Sequence, residues 1–236
     1  MRPAGTNLRA LPLLCLCLAG CSGLFQSKAK PEQTYYLRAP TARTAESNSP
    51  AGASAAAATP AMPATLRVIR PVADPGLNTS HIMLVQADRR MNFYSGSRWP
   101  APTPEVIEAL AVQTLRASGA WTSVEGSASP FPSDYLLHIH VRRFEAHYAE
   151  EAGSPVVHVV LDCIVGRRQG REVLAPFTVS GTAPAAANRL GEVVIAFEQA
   201  TGTALEALSQ QTEQAVRADL QRPAQNDDKP LASISR

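Results

Sequence analysis

The chain has 236 residues, with 22 lysines and arginines against 20 aspartates and glutamates, and its formal net charge is +2. This balance lacks the basic surplus of nucleic-acid-binding proteins, so nucleic acid is not an expected partner. The length accommodates one domain with tails. The sequence contains no P-loop motif, no G-x-S-x-G motif and no H-E-x-x-H motif. We therefore predict neither an enzyme nor a bound metal or cofactor.

The first residues have the layout of a secretory signal. Arg2 and Arg9 precede a short apolar run over 11–18. A membrane-spanning helix needs about 20 apolar residues, so this run is too short to be one. The run leads into a tetrapeptide that resembles a bacterial lipobox, namely Leu18-Ala19-Gly20-Cys21. This resemblance implies that the signal is removed before Cys21, which then carries a diacylglycerol and a further acyl chain such as palmitate. An ordinary signal with a chance cysteine is the alternative.

Lipid on Cys21 predicts a lasting membrane anchor. One acyl chain binds a bilayer only marginally, whereas three chains on one residue hold the protein almost permanently. In similar lipoproteins an aspartate after the cysteine signals retention at the inner membrane, and this chain has Ser22 there. We therefore expect the periplasmic face of the outer membrane. Residues 1–20 are then the signal peptide, and residues 21–33 form a polar tether.

Composition divides the rest of the chain. Residues 34–38 have the aromatic and β-branched content of a strand. Residues 39–64 are rich in alanine, serine and proline and lack aromatic residues, so we predict a disordered insertion. The auxiliary domain then covers 65–221 and is completed by the strand at 34–38, because that strand needs a sheet to join. Residues 222–236 form a flexible tail.

Apolar spacing predicts two amphipathic helices, one that starts with a capping hydroxyl at Thr103 and stops at Gly119, and one over 191–220. Their inner faces are Val106, Ile107, Leu110, Ala111 and Leu115 in the first helix, and Val194, Phe197, Thr201, Leu205, Leu208 and Val216 in the second. Further strands are predicted over 66–70, 81–85, 90–94, 121–124, 135–147, 156–165 and 172–181. Because consecutive strands have hairpin-length links, we expect an α+β fold, a single antiparallel sheet with both helices packed on one face.

Two of these strands carry a register prediction. Apolar side chains occupy the odd positions of 135–141 and again of 157–165. Directly opposed residues in a sheet share a face, so the two apolar sets must face each other. With the turn between the strands, Asp162 would then lie opposite His140 or Arg142 on the polar face.

Cys163 and two histidines have side chains capable of metal binding. Cys163 lies among valines and a leucine at core positions, which favours a buried thiol over a reactive one. His138 and His140 share a strand face, as a metal pair does, but no cysteine or acid at ligand spacing completes the set. Solvent-facing histidines are therefore the favoured interpretation, with a metal site as the alternative.

An aromatic stretch before the first helix is the candidate contact surface. Phe93, Tyr94 and Trp99 either form a tip that contacts a partner or lipid, or pack as core residues beneath the helix. The core alternative is favoured for Trp99, and Tyr94 is left open between the two. With the neighbouring Arg98, these residues form the candidate partner contact.

The same stretch carries a family resemblance. The segment from Asp88 to Trp99 reads Asp-Arg-Arg-Met-Asn-Phe-Tyr-Ser-Gly-Ser-Arg-Trp and precedes a helix that begins after Pro102. Together with Tyr35-Tyr36-Leu37 after the lipobox, and a strand and hairpin from Tyr135, this order resembles the ABC-type transport auxiliary lipoproteins. That group includes the paraquat-inducible protein C family. The segment over 41–64 departs from the family pattern by its length.

The resemblance implies a role in moving lipids between the two membranes of a cell envelope. Such systems combine a permease and an ATPase with a mammalian-cell-entry domain protein, and the lipoprotein is their outer-membrane partner. We therefore expect an accessory subunit that docks onto this assembly, with a homo-oligomer among its expected states. Because a helix-covered sheet of this size leaves little room for a large apolar cavity, we also expect that it does not enclose lipid in a pocket. A structural lipoprotein that assists assembly of another envelope machine is the alternative.

Overall fold

The structure, a computed structural model, describes residues 32–39, 61–150 and 153–222. The predicted signal peptide, the lipobox with Cys21, most of the tether, most of the 39–64 insertion and nearly all of the tail lie outside these ranges. The described elements in chain order are β1 (Gln33–Thr34), β2 (Met62–Val68), β3 (Val72–Ala73), β4 (His81–Val85), β5 (Met91–Arg98), α1 (Thr103–Ala117), β6 (Trp121–Glu125), β7 (Tyr135–His147), β8 (Val156–Arg167), β9 (Glu172–Pro184) and α2 (Leu190–Leu220).

Strand β7 is the centre of one nine-stranded mixed sheet. On one side it pairs with β8 in antiparallel fashion, and β8 pairs with β9 in the same way. On its other side β7 pairs in parallel with β2, β3 and β4, one after another. The α+β class is confirmed. The predicted single antiparallel sheet is wrong, because five of the eight strand pairings are parallel.

The parallel pairings arise from a long crossover that the link lengths did not reveal. Strands β2, β3 and β4 run alongside β7 as one interrupted strand, in which Pro71 separates β2 from β3. The chain reaches β7 only after β5, α1 and β6. Such a connection allows parallel pairing, because parallel neighbours need a dozen or more connecting residues. Short links therefore make antiparallel neighbours only at β4–β5, β7–β8 and β8–β9.

Both helices cover the same face of this sheet. In α1, all five apolar residues predicted for the inner face are buried. In α2, five of the six predicted residues are buried, whereas Val194 is half-buried and its neighbour Val193 is fully buried. The helices therefore bury the apolar face of the sheet and form one core with it.

No helix in the described ranges combines the length and the apolar character needed to cross a membrane.

The predicted register of β7 and β8 holds over the first half of the pair. Ile139 lies opposite Cys163 and His140 lies opposite Asp162, so Asp162 is on the polar face as expected. A bulge between Val141 and Arg143 then shifts the pairing by one residue. Beyond the bulge the even positions of β7 face the core, beginning with Phe144. A bulge of this kind inserts one residue and reverses the sidedness of all that follow.

Two element starts differ from the predictions. Of the predicted strand at 34–38 only Thr34 is in β1, which runs parallel to β5, although Tyr35 and Leu37 pack against the core. Strand β2 starts at Met62, inside the predicted insertion, because its even positions are buried from that residue onward.

The start of α1 also differs, because Thr103 is its first residue and does not cap it. The Thr103 hydroxyl instead donates to the carbonyl oxygen of Thr79, at 3.2 Å. The predicted stop is confirmed, since Gly119 has a φ of +66° just after the helix. The helix is therefore fixed at its first residue by the loop before β4.

Candidate functional site

The predicted contact residues lie on or directly after β5, in a hairpin whose other strand is β4. They differ in exposure. Phe93 is 44% exposed, Tyr94 and Arg98 are half-buried, and Trp99 is fully buried. The four candidate residues therefore have different environments, and only Phe93 among them is exposed.

Trp99 is a core residue, and the candidate contact role is wrong for it. Its ring packs edge-on against Phe197 and Phe144, with ring centroids 5.2 Å and 5.9 Å away. Its backbone N–H donates to the carbonyl oxygen of Ser80, at 2.7 Å. The aromatic cluster ties the end of the hairpin to both the central strand and α2, so Trp99 fixes where the hairpin leaves the core.

The exposed apolar part of the hairpin consists of Met91 and Phe93, which we call the hairpin surface. Their exposed fractions are 48% and 44%. The Phe93 ring stacks on His81 of β4, with centroids 4.3 Å apart, and lies opposite Met83, which is buried. Phe93 is therefore held in one orientation while much of its ring is in solvent. An exposed, preoriented aromatic next to a methionine is typical of protein contact surfaces.

Tyr94 points away from this surface and forms a hydrogen-bonded tie. Its hydroxyl lies 2.8 Å from that of Tyr148, which donates to Oδ1 of Asn188, also at 2.8 Å. Tyr94 is therefore the donor to Tyr148. Burial and the bond to Tyr148 raise the pKa of Tyr94 above its ordinary value, so the phenol stays neutral. The tie links β5 to the end of β7 and to the segment before α2. Tyr148 and Asn188 were not found from the sequence, since neither belongs to a motif.

A cleft of about 440 Å³ adjoins the hairpin tip. Leu84 and Ala87 give it an apolar wall, and Asp88 with Arg90 gives it an ion pair. Hydrogen bonds from the Arg90 backbone N–H and guanidinium hold the pKa of Asp88 below its ordinary value, so the pair is charged at neutral pH. The cleft contains no nucleophile with an adjacent base. Its lining therefore combines polar and apolar side chains.

A second cleft, of about 790 Å³, lies at the opposite end of β7. Its wall contains Arg167, which forms an ion pair with the buried Asp219 near the end of α2. Tyr135 donates to the same carboxylate, at 3.0 Å. Although burial opposes the charged form, the hydrogen bonds from Arg167 and Tyr135 lower the pKa of Asp219. These bonds hold the C-terminal end of α2 against strands β7 and β8. No motif in the sequence points to this network, since Asp219 lies in the polar last turn of α2.

Cys163, His138 and His140 are the residues that the sequence offered for metal binding. Cys163 is 1% exposed, and burial raises the pKa of its thiol to about 12, so the predicted core thiol is confirmed. His138 is exposed, and Nε2 of His140 lies 2.8 Å from Oδ1 of Asp74. Within the described ranges, no group of three or more histidine, cysteine, aspartate or glutamate side chains is placed to hold a metal ion.

The family model of the ABC-type transport auxiliary lipoprotein component matches residues 47–213. The chain belongs to this family. The resemblance noted in the sequence is thereby confirmed, and the match spans all of the sheet except β1, and most of α2. The family is an auxiliary transport component and is not known for catalysis.

Solved structures share the fold of this auxiliary lipoprotein. Protein XCC0632 from Xanthomonas campestris, of the DUF330 family, is 26% identical with a TM-score of 0.63, and the alignment covers 69% of this chain and 91% of that one. An uncharacterised protein aligns with a TM-score of 0.50 at 14% identity, over 68% of this chain and 94% of that one, which shows the fold alone. A search of curated proteins gave no match.

Proposed function

We propose that this auxiliary lipoprotein is an outer-membrane-anchored, periplasmic subunit of an ABC-type intermembrane lipid transport system. It docks onto a mammalian-cell-entry domain protein, which works with a permease and an ATPase, and it performs no catalysis of its own. The observation that carries the proposal is the family match over 47–213 in a chain whose sequence has a lipobox ending at Cys21.

The hairpin surface and the adjoining cleft are the proposed docking region. The Phe93 ring is exposed but held by its stack on His81, so contact with a partner costs little side-chain entropy. Arg90 at the hairpin tip adds a charged group at the rim of that surface. An apolar patch with a charged rim is the usual composition of a protein–protein contact. Trp99, which is buried, and Tyr94, which points away from the hairpin surface, are no longer part of this proposed contact, whereas Phe93 and Arg98 remain.

Site-specific photocrosslinking in cells tests the docking. A photoreactive phenylalanine analogue replaces Phe93, and the matched control carries the same analogue at Thr203, which is exposed on α2. We expect position 93 to capture a mammalian-cell-entry protein and position 203 not to. Capture of components of a different envelope machine alone would contradict the lipid transport proposal. It would instead favour the alternative, a structural lipoprotein that assists another assembly.

The anchor is tested by fractionation of the Cys21→Ser variant. Serine has no thiol to acylate, so we expect an uncleaved precursor or a protein released from the outer membrane. The matched control is Cys163→Ser, which removes the buried thiol of the folded domain and leaves the lipobox intact. Normal outer-membrane fractionation of Cys21→Ser would contradict the proposed anchor and with it the localisation.

A further inference from the structure

Strand β9 is an edge of the sheet, because within the described ranges it pairs only with β8. The direction of its backbone groups follows from one bond, in which the N–H of Ala185 donates to the carbonyl oxygen of Pro155 at 2.9 Å. Successive residues of an antiparallel strand alternate between facing their partner and facing away. The register is constant from Ala175 to Pro184, so the odd positions face β8 and the even positions face outward.

The outward positions of β9 end in a proline on each side. All five are exposed, namely Pro176, Thr178, Ser180, Thr182 and Pro184. The three middle residues each point an N–H and a carbonyl group away from the sheet, and no described residue binds these groups. The two prolines have no N–H, and edge strands are where proline fits in a sheet. The edge is therefore a short ladder of unpaired backbone groups with defined ends.

We infer that β9 pairs in antiparallel fashion with β9 of a second copy of this chain, about a two-fold axis through Ser180. In this register Ser180 lies opposite Ser180, Thr178 opposite Thr182, and Pro176 opposite Pro184. Each of the three outward residues exchanges two hydrogen bonds with its counterpart, so every outward N–H meets a carbonyl oxygen. A shift of two residues would place a proline opposite Thr178 or Thr182, and the carbonyl oxygen of that threonine would then have no N–H donor, because proline lacks one.

The proline spacing and the local charge favour a second copy over an unrelated strand. The prolines at 176 and 184 are equally distant from Ser180, so the edge is complementary to itself. No residue from Val173 to Asn188 is charged, so two copies approach without like-charge repulsion along this strand. The inference does not depend on which transport system the lipoprotein serves.

Cysteine crosslinking of the full-length lipoprotein in cells tests the pairing and its register. Opposed residues in such a pair have Cα atoms about 5.5 Å apart, within the range that a disulfide spans. We therefore expect Ser180→Cys to form a covalent dimer under mild oxidation. Thr178→Cys is the matched control on the same edge, because two Thr178 residues would be about 13 Å apart, too far for a disulfide. The double variant Thr178→Cys with Thr182→Cys should crosslink again.

The native cysteine of the folded domain does not compete in this experiment, since Cys163 is 1% exposed. Failure of Ser180→Cys to give the dimer would overturn the inference. Equal crosslinking at positions 178 and 180 would do so as well, because it would report random collision and not a register. A covalent product between Ser180→Cys and a different protein would assign the edge to a foreign strand and also refute the proposed pairing.

A measurement of mass provides a second test that needs no crosslink. Ser180→Pro removes an N–H that the monomer does not use, so the fold should persist, as monitored by circular dichroism. We expect light scattering on the purified lipoprotein to show loss of the dimer in Ser180→Pro and its retention in Ser180→Ala. A dimer that survives Ser180→Pro would contradict the inference.

Discussion

The two faces of the sheet differ in what they contribute. The helix-covered face buries the aromatic cluster of Trp99, Phe144 and Phe197 together with most of the aliphatic core. The open face carries the ion pairs of β7 and β8 and the half-buried or exposed histidines at positions 138, 140, 147 and 158. Most of the buried apolar residues therefore lie in one layer, between the sheet and its helices, and the proposed contact regions are the hairpin surface and the β9 edge.

The largest expected effect is the difference in unfolding free energy between substitution of a buried phenylalanine and substitution of an exposed one. Phe144→Ala removes a fully buried ring and should lower the free energy of unfolding by about 3–5 kcal/mol. Phe93→Ala removes a ring that is 44% exposed and should cost about 1 kcal/mol or less. Urea unfolding followed by circular dichroism measures both values. Similar losses for the two variants would show that the hairpin surface belongs to the core.

The contact between β9 and α2 should show the next largest effect. A Cβ atom at Gly181 would lie 1.8 Å from the carbonyl oxygen of Ala200, and backbone cannot move aside as a side chain does. Gly181→Ala should therefore destabilise the protein by about 3 kcal/mol or more. The matched control is Gly191→Ala in the first turn of α2, where nothing lies within 4 Å and the change should be neutral or stabilising. Equal thermal midpoints for both variants would refute this close packing.

The charged network at the end of α2 should give a smaller, pH-dependent effect. The folded state lowers the pKa of Asp219 below its ordinary value of 3.8, so its stabilising contribution is present above that value. The contribution is lost as the pH falls through the lower folded pKa. Asp219→Asn should cost about 2 kcal/mol at neutral pH, because the guanidinium of Arg167 loses its partner, and less at acidic pH.

Urea unfolding across the acidic range measures this difference. Asp88→Asn is the matched control, since its ion pair with Arg90 is exposed to solvent and should contribute much less to stability than the pair of Asp219 with Arg167. A loss for Asp219→Asn that stayed constant from neutral to strongly acidic pH would contradict the assignment of the lowered pKa.

The tyrosine tie behind the hairpin should give the smallest effect. Tyr94→Phe removes one partly buried hydrogen bond and should cost about 1 kcal/mol. Tyr148→Phe disrupts the bonds to both Tyr94 and Asn188 and should cost more. Chemical unfolding of the two variants compares them. If Tyr94→Phe cost as much as Tyr148→Phe, the chain of donors described above would be wrong.

The local parts of this fold were predictable from the sequence, and the nonlocal parts were not. Helical spacing identified the buried face of α1, and alternation identified the register of β7 and β8 as far as Val141. The parallel pairing of β2, β3 and β4 with β7 joins residues far apart in the chain, so no local pattern reports it. The bulge near Arg142 likewise has no composition signature.

The candidate site was predictable only in part, because several of its residues make their contacts with distant parts of the chain. Phe93 is 44% exposed, as a contact role requires, although the sequence left a core role open for it as well. Trp99 is the reverse case, since only its packing against Phe144 and Phe197 decides between surface and core. The Tyr135–Asp219 and Tyr94–Tyr148 bonds join residues 84 and 54 positions apart, so they were found only in three dimensions.

We propose that this auxiliary lipoprotein docks onto its partner and does not carry lipid. The clefts in the described ranges at the hairpin tip and at Arg167 have linings in which polar and apolar side chains are mixed, in contrast to the largely apolar cavity of a ligand carrier. Native mass spectrometry of the soluble Cys21→Ser chain, secreted with a cleavable signal in cells, tests the claim most directly. We predict protein masses without stoichiometric phospholipid. A monomer that retains one phospholipid would contradict the claim and make this protein a lipid carrier.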